Sequence, residues 1–206
     1  MTQPLEKLRG DLQMIAEMIE PNSRVLDIGC GEGELLAWLG DRKNVDGRGI
    51  ELSMDGVRAG VGNGLSVIQG DADTDLDNYP AEAFDYVVLS QTLQATRNPR
   101  SVLKNMARIG KRIIISFPNF GYYGVRLRLL VNGRMPVTRS LPDSWYETAN
   151  IHHCTIYDFE DLCAETGLKI ERGVALDNKG RPLPFGARSA LANLFAAQAL
   201  FMLSKT

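Results

Sequence analysis

A short strand that runs directly into a glycine-rich loop is the feature that most constrains the fold of this chain. The strand Arg24–Ile28 is followed at once by Gly29, Gly31 and Gly33, and helical spacing resumes at Glu34. Glycine lets the backbone turn sharply and lets a ligand approach the main chain. In an open α/β sheet, ligands bind outside the carboxyl ends of the strands. The pattern therefore predicts a ligand site on this loop, suited so far to any nucleoside.

Short apolar segments and helical segments alternate along most of the chain. This alternation predicts a parallel sheet with right-handed crossovers and with helices on both faces. For residues 198–203 a C-terminal helix is an alternative to a last strand. Helices are predicted at residues 4–20, 34–39, 54–61, 99–109, 155–166 and 187–194. Strands are predicted at residues 24–28, 44–52, 66–69, 84–89, 111–117, 168–176 and 198–203.

The composition is that of an ordinary globular domain, and a single domain over residues 1–206 is predicted. Basic residues number 23 and acidic residues 25, a net charge of −2, which argues against a general binder of nucleic acid or acidic membrane. The longest uncharged stretch, Ser189–Ser204, is too short to span a bilayer. Met1–Gly10 has no apolar run behind its charges, unlike a signal peptide. The three cysteines fit reduced thiols, so a cytoplasmic location is expected.

One stretch, here called the cap segment (residues 118–153), interrupts the alternation. It is too long for an ordinary connection inside a compact domain, and we predict a partly helical insertion over the carboxyl end of the sheet. Its arginines and aromatics allow three interpretations: a nucleic-acid surface, a segment that merely packs on the sheet, or a protein–protein surface, where Arg, Tyr and Trp are enriched. These residues are Arg126, Arg128, Arg134, Arg139, Phe120, Tyr122, Tyr123, Trp145 and Tyr146.

Three carboxylates near the ends of successive strands narrow the choice of ligand. A dinucleotide site typically has the spacing Gly-x-Gly-x-x-Gly, and here the third glycine comes one residue early. Asp27 just before the loop repels phosphate but suits a ligand with a cationic amino-acid tail. Glu51, at the end of the second strand, can accept hydrogen bonds from both hydroxyls of a ribose. Asp71, after the third strand, can meet an adenine edge.

Together these residues resemble the class I S-adenosylmethionine-dependent methyltransferase fold. The resemblance implies a Rossmann-like three-layer αβα sandwich, with a mostly parallel seven-stranded sheet and an antiparallel last strand. It also implies S-adenosylmethionine or S-adenosylhomocysteine as cofactor. The implied cofactor contacts are the loop residues Asp27, Gly29, Cys30, Gly31 and Gly33, then Glu51 and Leu52 at the ribose, Asp71 and Ala72 at the adenine, and Ser90, Gln91 and Leu93 closing the site.

Nearly the whole chain also resembles the methionine biosynthesis family MetW. That resemblance implies a partner or activator of a homoserine O-acyltransferase, MetX. Two alternatives stay open: a stand-alone small-molecule methyltransferase, and a protein that has kept the fold but lost the cofactor. Self-association is also open. The stretches that carry the resemblance are Val25–Leu36, Gly49–Leu52, Phe84–Leu93, Ile115–Asn119, Arg126–Pro136 and Trp145–Thr155.

No catalytic residue can be assigned from the sequence. The segment Ser90–Thr96 lacks the histidine that many small-molecule methyltransferases place after the fourth strand, and it lacks an Asn/Asp-Pro-Pro-Tyr-type motif. Methyl transfer depends more on proximity and on exclusion of water than on a dedicated base, so these absences do not decide the question. The chain has no Gly-x-Ser-x-Gly motif, so acyl chemistry would have to reside in the partner.

The sequence His152-His153-Cys154 raises the question of a metal site. Adjacent residues of an extended segment point in opposite directions, so both histidines rarely bind one ion, and no second Cys-x-x-Cys pair is present. We predict no metal. One histidine is expected to be a buried hydrogen-bonding residue that fixes the cap segment to the sheet. Cys30 is expected in the loop for its small size rather than as a reactive thiol.

Overall fold

The structure is a computed structural model that describes residues 8–206. The described part contains seven α-helices and eight strands. The helices are α1 (Gly10–Met18), α2 (Glu34–Lys43), α3 (Met54–Gly62), α4 (Pro99–Ile109), α5 (Tyr123–Asn132), α6 (Ile156–Thr166) and α7 (Ala192–Phe195). The strands are β1 (Arg24–Ile28), β2 (Asp46–Glu51), β3 (Ser66–Gln69), β4 (Phe84–Ser90), β5 (Gly110–Pro118), β6 (Leu168–Leu176), β7 (Pro182–Gly186) and β8 (Gln198–Lys205).

All eight strands form one sheet in the order β3-β2-β1-β4-β5-β8-β6-β7. Strands β1 to β5 are parallel, and β8 runs antiparallel between β5 and β6. The predicted Rossmann-like fold with an antiparallel last strand is therefore confirmed, and the alternative of a helix over residues 198–203 is wrong. Of the predicted helix 4–20, residues 4–7 lie outside the described residues and α1 accounts for residues 10–18.

The structure adds one strand to the seven that the sequence predicts. β7 pairs antiparallel with β6 at the outer edge of the sheet. It contains Pro182 and Pro184, which lack the N–H group that a central strand needs. For this reason the sequence pattern does not predict a strand here. An edge strand tolerates such prolines because one side of it needs no partner. The helix predicted over residues 187–194 is reduced to α7, whose four residues begin at Ala192.

The two faces of the sheet carry different helices and separate cores. On one face α1 and α2 bury Ile15, Leu35 and Leu39 against Val25 and Val88, with Leu8, Leu12, Tyr86, Ile114 and Leu200 in the same cluster. The other face is covered by α4 and α6, whose apolar side chains pack on Leu26, Ile28, Val87, Phe117 and Phe201. Successive strand residues point to opposite faces, so the apolar runs of β1, β4 and β5 can supply both cores.

The beginning of α1 is held against the turn between β6 and β7. A Cβ atom placed on Gly10 would lie 2.4 Å from the carbonyl oxygen of Gly180. Gly180 itself has a φ of +76°, a conformation that favours glycine. This backbone contact fixes the position from which α1 enters the molecule, and α1 carries side chains into the site described below.

The cap segment is partly helical, as the sequence predicts. Its helix α5 follows the carboxyl end of β5, and most of residues 133–153 form irregular structure. A small core of Tyr122, Val125, Leu141 and Ala197 attaches it to the rest of the molecule. Near its end, the N–H groups of Ile151 and His152 both donate to the carbonyl oxygen of Gln94 at 2.9 Å.

Candidate functional site

The glycine loop turns because its three glycines adopt left-handed backbone conformations. Gly29, Gly31 and Gly33 have φ values of +71°, +56° and +83°. A Cβ atom on Gly29 would meet Thr92, and one on Gly33 would meet Leu65, whereas one on Gly31 would meet nothing within 4 Å. The loop therefore excludes side chains at its two ends by contact. At its middle it leaves open space in which a ligand can approach the main chain.

Glu51 fastens the loop to the end of β2. Its Oε2 atom accepts a hydrogen bond from the N–H of Gly31 at 2.9 Å, and its Oε1 atom accepts one from the N–H of Ser53 at 2.8 Å. The N–H of Gly29 also donates to the carbonyl oxygen of Ile50, at 2.8 Å. A carboxylate offers about four lone-pair sites. Two backbone donors therefore leave Glu51 able to accept both hydroxyls of a diol.

A buried polar cluster lies on the same face of the sheet as α1. Asp11 of α1 is fully buried, and its Oδ2 atom accepts hydrogen bonds from the hydroxyls of Ser90 and Ser116, each at 2.8 Å. Arg9 donates to Asp11 Oδ1 at 2.6 Å and to the Ser90 hydroxyl at 2.6 Å. Burial raises the pKa of Asp11, but the Arg9 contact and the two hydroxyls outweigh burial and hold the pKa below its ordinary value. Asp11 is therefore a stable buried anion.

Asp27 presents the opposite electrostatic situation. It is buried at the end of β1, and burial raises its pKa to about 7; Arg9 lowers the pKa, and the negative charges of Glu51 and Asp11 raise it. Among the described residues, no hydrogen bond stabilises the charge of this carboxylate. A buried carboxylate without donors is costly to ionise. Asp27 is therefore suited to a cationic ligand group that would compensate its charge.

Of these groups, Arg9, Asp27 and Ser90 line one cavity of about 170 Å³ beside the glycine loop, whereas Glu51, Asp11 and Ser116 are not among its lining residues. Its lining combines the Arg9 guanidinium, which is about half exposed, with the carboxylate of Asp27. Cation and anion thus face the same space, as the ammonium and carboxylate of a free amino acid would require. The lining residues are Arg9, Leu12, Asp27, Gly29, Cys30, Gly31, Glu32, Glu34, Leu35 and Ser90.

Cys30 is a packing residue of the loop. Its sulfur lies 2.5 Å from the position that a Cβ atom on Gly49 would take, so strand and loop are closely packed here. Burial, together with the charges of Asp27 and Glu51, raises the pKa of the Cys30 thiol to about 12. The thiolate is the reactive form, so this cysteine is unreactive near neutral pH, in line with the sequence interpretation.

The other predicted contact residues lie at neighbouring strand ends but do not line this cavity. Asp71 follows β3, and its Oδ1 atom accepts the N–H of Asp73 at 2.9 Å, while Ala72 packs on the core. Leu52 after β2 is exposed. Gln91 has a φ of +54°, and its N–H donates to the Ser116 carbonyl oxygen. Leu93 is buried and lines a different cavity, between α4 and α6.

The histidine prediction is wrong in one respect. Both His152 and His153 are exposed, so neither is a buried residue that fixes the cap segment. Main-chain hydrogen bonds to Gln94 make that attachment, and the His153 ring stacks on Phe120 at 4.7 Å. Within residues 8–206, no group of three or more His, Cys, Asp or Glu side chains could hold a metal ion. No helix in this range is both long and apolar enough to cross a membrane.

Three residues of the site were missed by the sequence analysis: Arg9, Asp11 and Ser116. Ser116 could have been found by the two-residue alternation of strands, since Asp27, Ser90 and Ser116 end neighbouring strands and face the same side as Val25, Val88 and Ile114. Asp11 leaves a signal too, because it comes three residues after Leu8 and four before Ile15 and so lies on the apolar side of the predicted helix. A charged residue within an amphipathic helix normally faces solvent, so a carboxylate on the apolar side indicates a buried role. Arg9 leaves no comparable signal.

Comparison with known proteins adds a family and a fold. The family model described as methionine biosynthesis protein MetW matches residues 9–203. The bifunctional methionine biosynthesis protein MetXA/MetW of Rhodopirellula baltica is 36% identical over 179 residues, which are 82% of this chain and 29% of that protein. The chain therefore spans less than a third of the length of this curated relative.

Solved structures share the fold at low sequence identity. An S-adenosylmethionine-dependent methyltransferase from Archaeoglobus fulgidus has a TM-score of 0.68 at 17% identity, covering 98% of this chain and 95% of its own. One from Thermotoga maritima has a TM-score of 0.67 at 17% identity, covering 96% and 88%. The [4+2]-cyclase SpnF has a TM-score of 0.66 at 16% identity, covering 94% and 80%. These likenesses show the fold, and the family match shows more: this chain belongs to the MetW family of methionine biosynthesis proteins.

Proposed function

We propose that this protein binds S-adenosylmethionine at the glycine loop and acts in methionine biosynthesis as the activating partner of a homoserine O-acyltransferase. The observation that carries the cofactor part is the pair of opposite charges, Arg9 and Asp27, in one cavity beside an open glycine. The partner part is supported by the relative in which MetXA and MetW functions share one protein. Three free thiols suit a cytoplasmic site of action.

The residues present fit the proposed cofactor group by group. Arg9 would hold the carboxylate of the amino-acid tail, and Asp27 its ammonium. Glu51, with two lone-pair sites left, would accept the ribose hydroxyls. At the end of β3, the second carboxylate oxygen of Asp71 accepts no hydrogen bond from a described residue, which suits an adenine amino group. Leu52 offers an exposed apolar side chain nearby in sequence.

The chemistry of this cofactor is methyl donation from a sulfonium, and that supports a second candidate function. A stand-alone methyltransferase would need a substrate position next to the cofactor, closed to water. The structural relatives include methyltransferases but also a [4+2]-cyclase. The fold alone therefore does not imply methyl transfer. The MetW membership favours the activating role, with S-adenosylmethionine as the regulatory ligand.

Calorimetric titration with S-adenosylmethionine tests whether the site binds this cofactor. Binding to the unmodified protein is expected, with affinity at least tenfold lower for Glu51→Ala, because a charged hydrogen-bond acceptor contributes about 1.5–3 kcal/mol. Glu17→Ala, a change of an exposed glutamate on α1, is the matched control and should leave the affinity unchanged. Absence of measurable heat with the unmodified protein would favour loss of the cofactor over both functions.

Co-expression with the homoserine O-acyltransferase of the same organism tests the partner. The two proteins are expected to co-purify, and the acyltransferase rate is expected to rise when this chain is present. Titration of S-adenosylmethionine into the purified pair should then change that rate. A pair that does not co-purify and an acyltransferase indifferent to this chain would leave the methyltransferase ahead. An unchanged rate at saturating cofactor would reject only the regulatory role.

A further inference from the structure

The outer surface of the cap segment is unusually apolar for a protein surface. Ten of the eighteen large hydrophobic side chains that are exposed in the described part of the chain lie in these 36 residues. Leu130 is 83% exposed, and Trp145 and Tyr146 are 71% exposed each. Single exposed apolar residues are ordinary, but a concentration of them in one segment marks an interaction site.

The helix α5 is apolar on two sides, the side that packs on the molecule and the side that faces solvent. Val125 is its only buried residue and packs toward Tyr122 and Leu141. Leu127, Leu130 and Val131 lie on the opposite side, since helix residues rotate by about 100° each. An apolar stripe normally faces a core. In α5 the stripe that faces away from the molecule is at least as apolar as the one that faces it.

Unpaired positive charge accompanies this apolar surface. The cap segment holds four of the 23 basic residues but only two of the 25 acidic ones. Within residues 8–206, none of the four arginines forms an ion pair. Arg126 and Arg128 instead donate to the main-chain oxygens of Gly121 and Val137. Apolar side chains with arginines at their rim are the composition of a protein-binding surface.

The cavity beside the glycine loop does not use this surface. None of its lining residues comes from the cap segment. The exposed residues of α5 therefore need an occupant other than the cofactor. A nucleic acid would seek many phosphate contacts, whereas the prominent feature here is apolar, which favours a protein.

We infer that the outer face of α5 and the Trp145–Tyr146 pair form the surface that docks the homoserine O-acyltransferase, against an apolar patch of that enzyme rimmed by acidic residues. This inference rests on the proposed function, and the relative that unites both functions in one protein names the occupant. The Trp145 and Tyr146 rings meet edge to face at 5.6 Å. Both are exposed side chains of the cap segment, to which α5 also belongs, and they are aromatic residues of the type that dominate binding energy.

Biolayer interferometry between this chain and the purified acyltransferase of the same organism tests the surface. Leu130→Glu and Trp145→Ala are each expected to weaken association at least tenfold. The matched control is Val61→Glu on α3, a helix that contacts β2 and β3 at the other end of the sheet. Val61 is 55% exposed, and its variant should bind like the unmodified protein. Circular dichroism and S-adenosylmethionine titration of each variant confirm folding.

Each outcome has a distinct meaning. Equal affinity of Leu130→Glu, Trp145→Ala and the unmodified protein for the acyltransferase would overturn the docking surface and leave the proposed function standing. No association of the unmodified protein would overturn both. Analytical ultracentrifugation of this chain alone tests whether a second copy of the chain occupies the surface instead. Self-association that Leu130→Glu abolishes, with acyltransferase binding unaffected, would assign the surface to a second copy and overturn the inference.

Discussion

The glycine-loop cavity and the cap segment both lie after the carboxyl ends of strands, and both carry charged residues, but they use charge in opposite ways. At the cavity, Asp27 is buried in the lining and Asp11 is buried under Arg9 and Ser90, and main-chain geometry fixes the glycine loop beside them. In the cap segment the arginines have no ion-pair partners among the described residues, and large apolar side chains face solvent. The first region suits a small ligand of fixed shape. The second suits a partner protein whose surface supplies acidic groups for the arginines and apolar groups for the exposed side chains.

The largest expected effect is the loss of cofactor affinity on substitution of Asp27, because the cavity depends on this one buried carboxylate. Asp27→Asn keeps the shape of the side chain but removes the anion that would face the ammonium of the cofactor. We expect about 100-fold weaker binding of S-adenosylmethionine, because loss of a buried charge partner costs about 3 kcal/mol or more. Calorimetry at pH 8 measures this. Association with the acyltransferase should be unchanged, and an affinity within threefold of the unmodified protein would remove Asp27 from the site.

The next effect tests whether a distant backbone contact positions the cavity. Gly10→Ala would place a Cβ atom 2.4 Å from the Gly180 carbonyl oxygen, so α1 and the turn after β6 must separate. We expect a loss of about 2 kcal/mol in the free energy of unfolding, measured by urea denaturation, and weaker cofactor binding because Arg9 and Asp11 move with α1. Gly62→Ala is the control. A Cβ there meets nothing within 4 Å, and its stability should be equal or slightly higher.

A moderate effect is expected from pH. The folded pKa of Asp27 is about 7, above its ordinary value of 3.8, so the folded protein keeps this proton longer than the unfolded chain. Its contribution to stability therefore falls as pH rises from about 4 to 7 and is constant above that. Because a cationic ligand requires the carboxylate, S-adenosylmethionine should bind about tenfold more weakly at pH 6 than at pH 8. Asp27→Asn should lose this dependence, and a persisting dependence would place the titrating group elsewhere.

The smallest effect is expected on the cap side. Leu130→Ser replaces a side chain that is 83% exposed. It should change the free energy of unfolding by less than about 0.5 kcal/mol and leave cofactor affinity the same within twofold. Thermal denaturation and calorimetry of the isolated chain check both values. A large destabilisation would mean that the outer face of α5 is covered within this chain, and the contrast between the two regions would fail.

Features that depend on local sequence could be predicted, and features that depend on tertiary packing could not. Positive-φ glycines after a strand and a carboxylate at the next strand end leave a local pattern, so the loop and Glu51 were predictable. The fold was predictable from the alternation of strands and helices along the chain. The burial of Asp11 was indicated by its place on the apolar side of the predicted helix, but the partners of Arg9 and Asp11 were not predictable. They depend on where α1 packs, which the Gly10–Gly180 contact decides over a long sequence separation. The exposure of His152 and His153 likewise depends on tertiary packing.

The placement of β8 has a consequence for how the nascent chain matures. β8 comes last in sequence among the strands, yet it lies between β5 and β6 and hydrogen-bonds to both. Until residues 198–205 leave the ribosome, two long strands expose unpaired edges, which are templates for association with other chains. Pairing partners so distant in sequence also slow closure. We expect the half of the sheet from β1 to β4 to assemble early, while the other half stays incomplete until β8 has been synthesised.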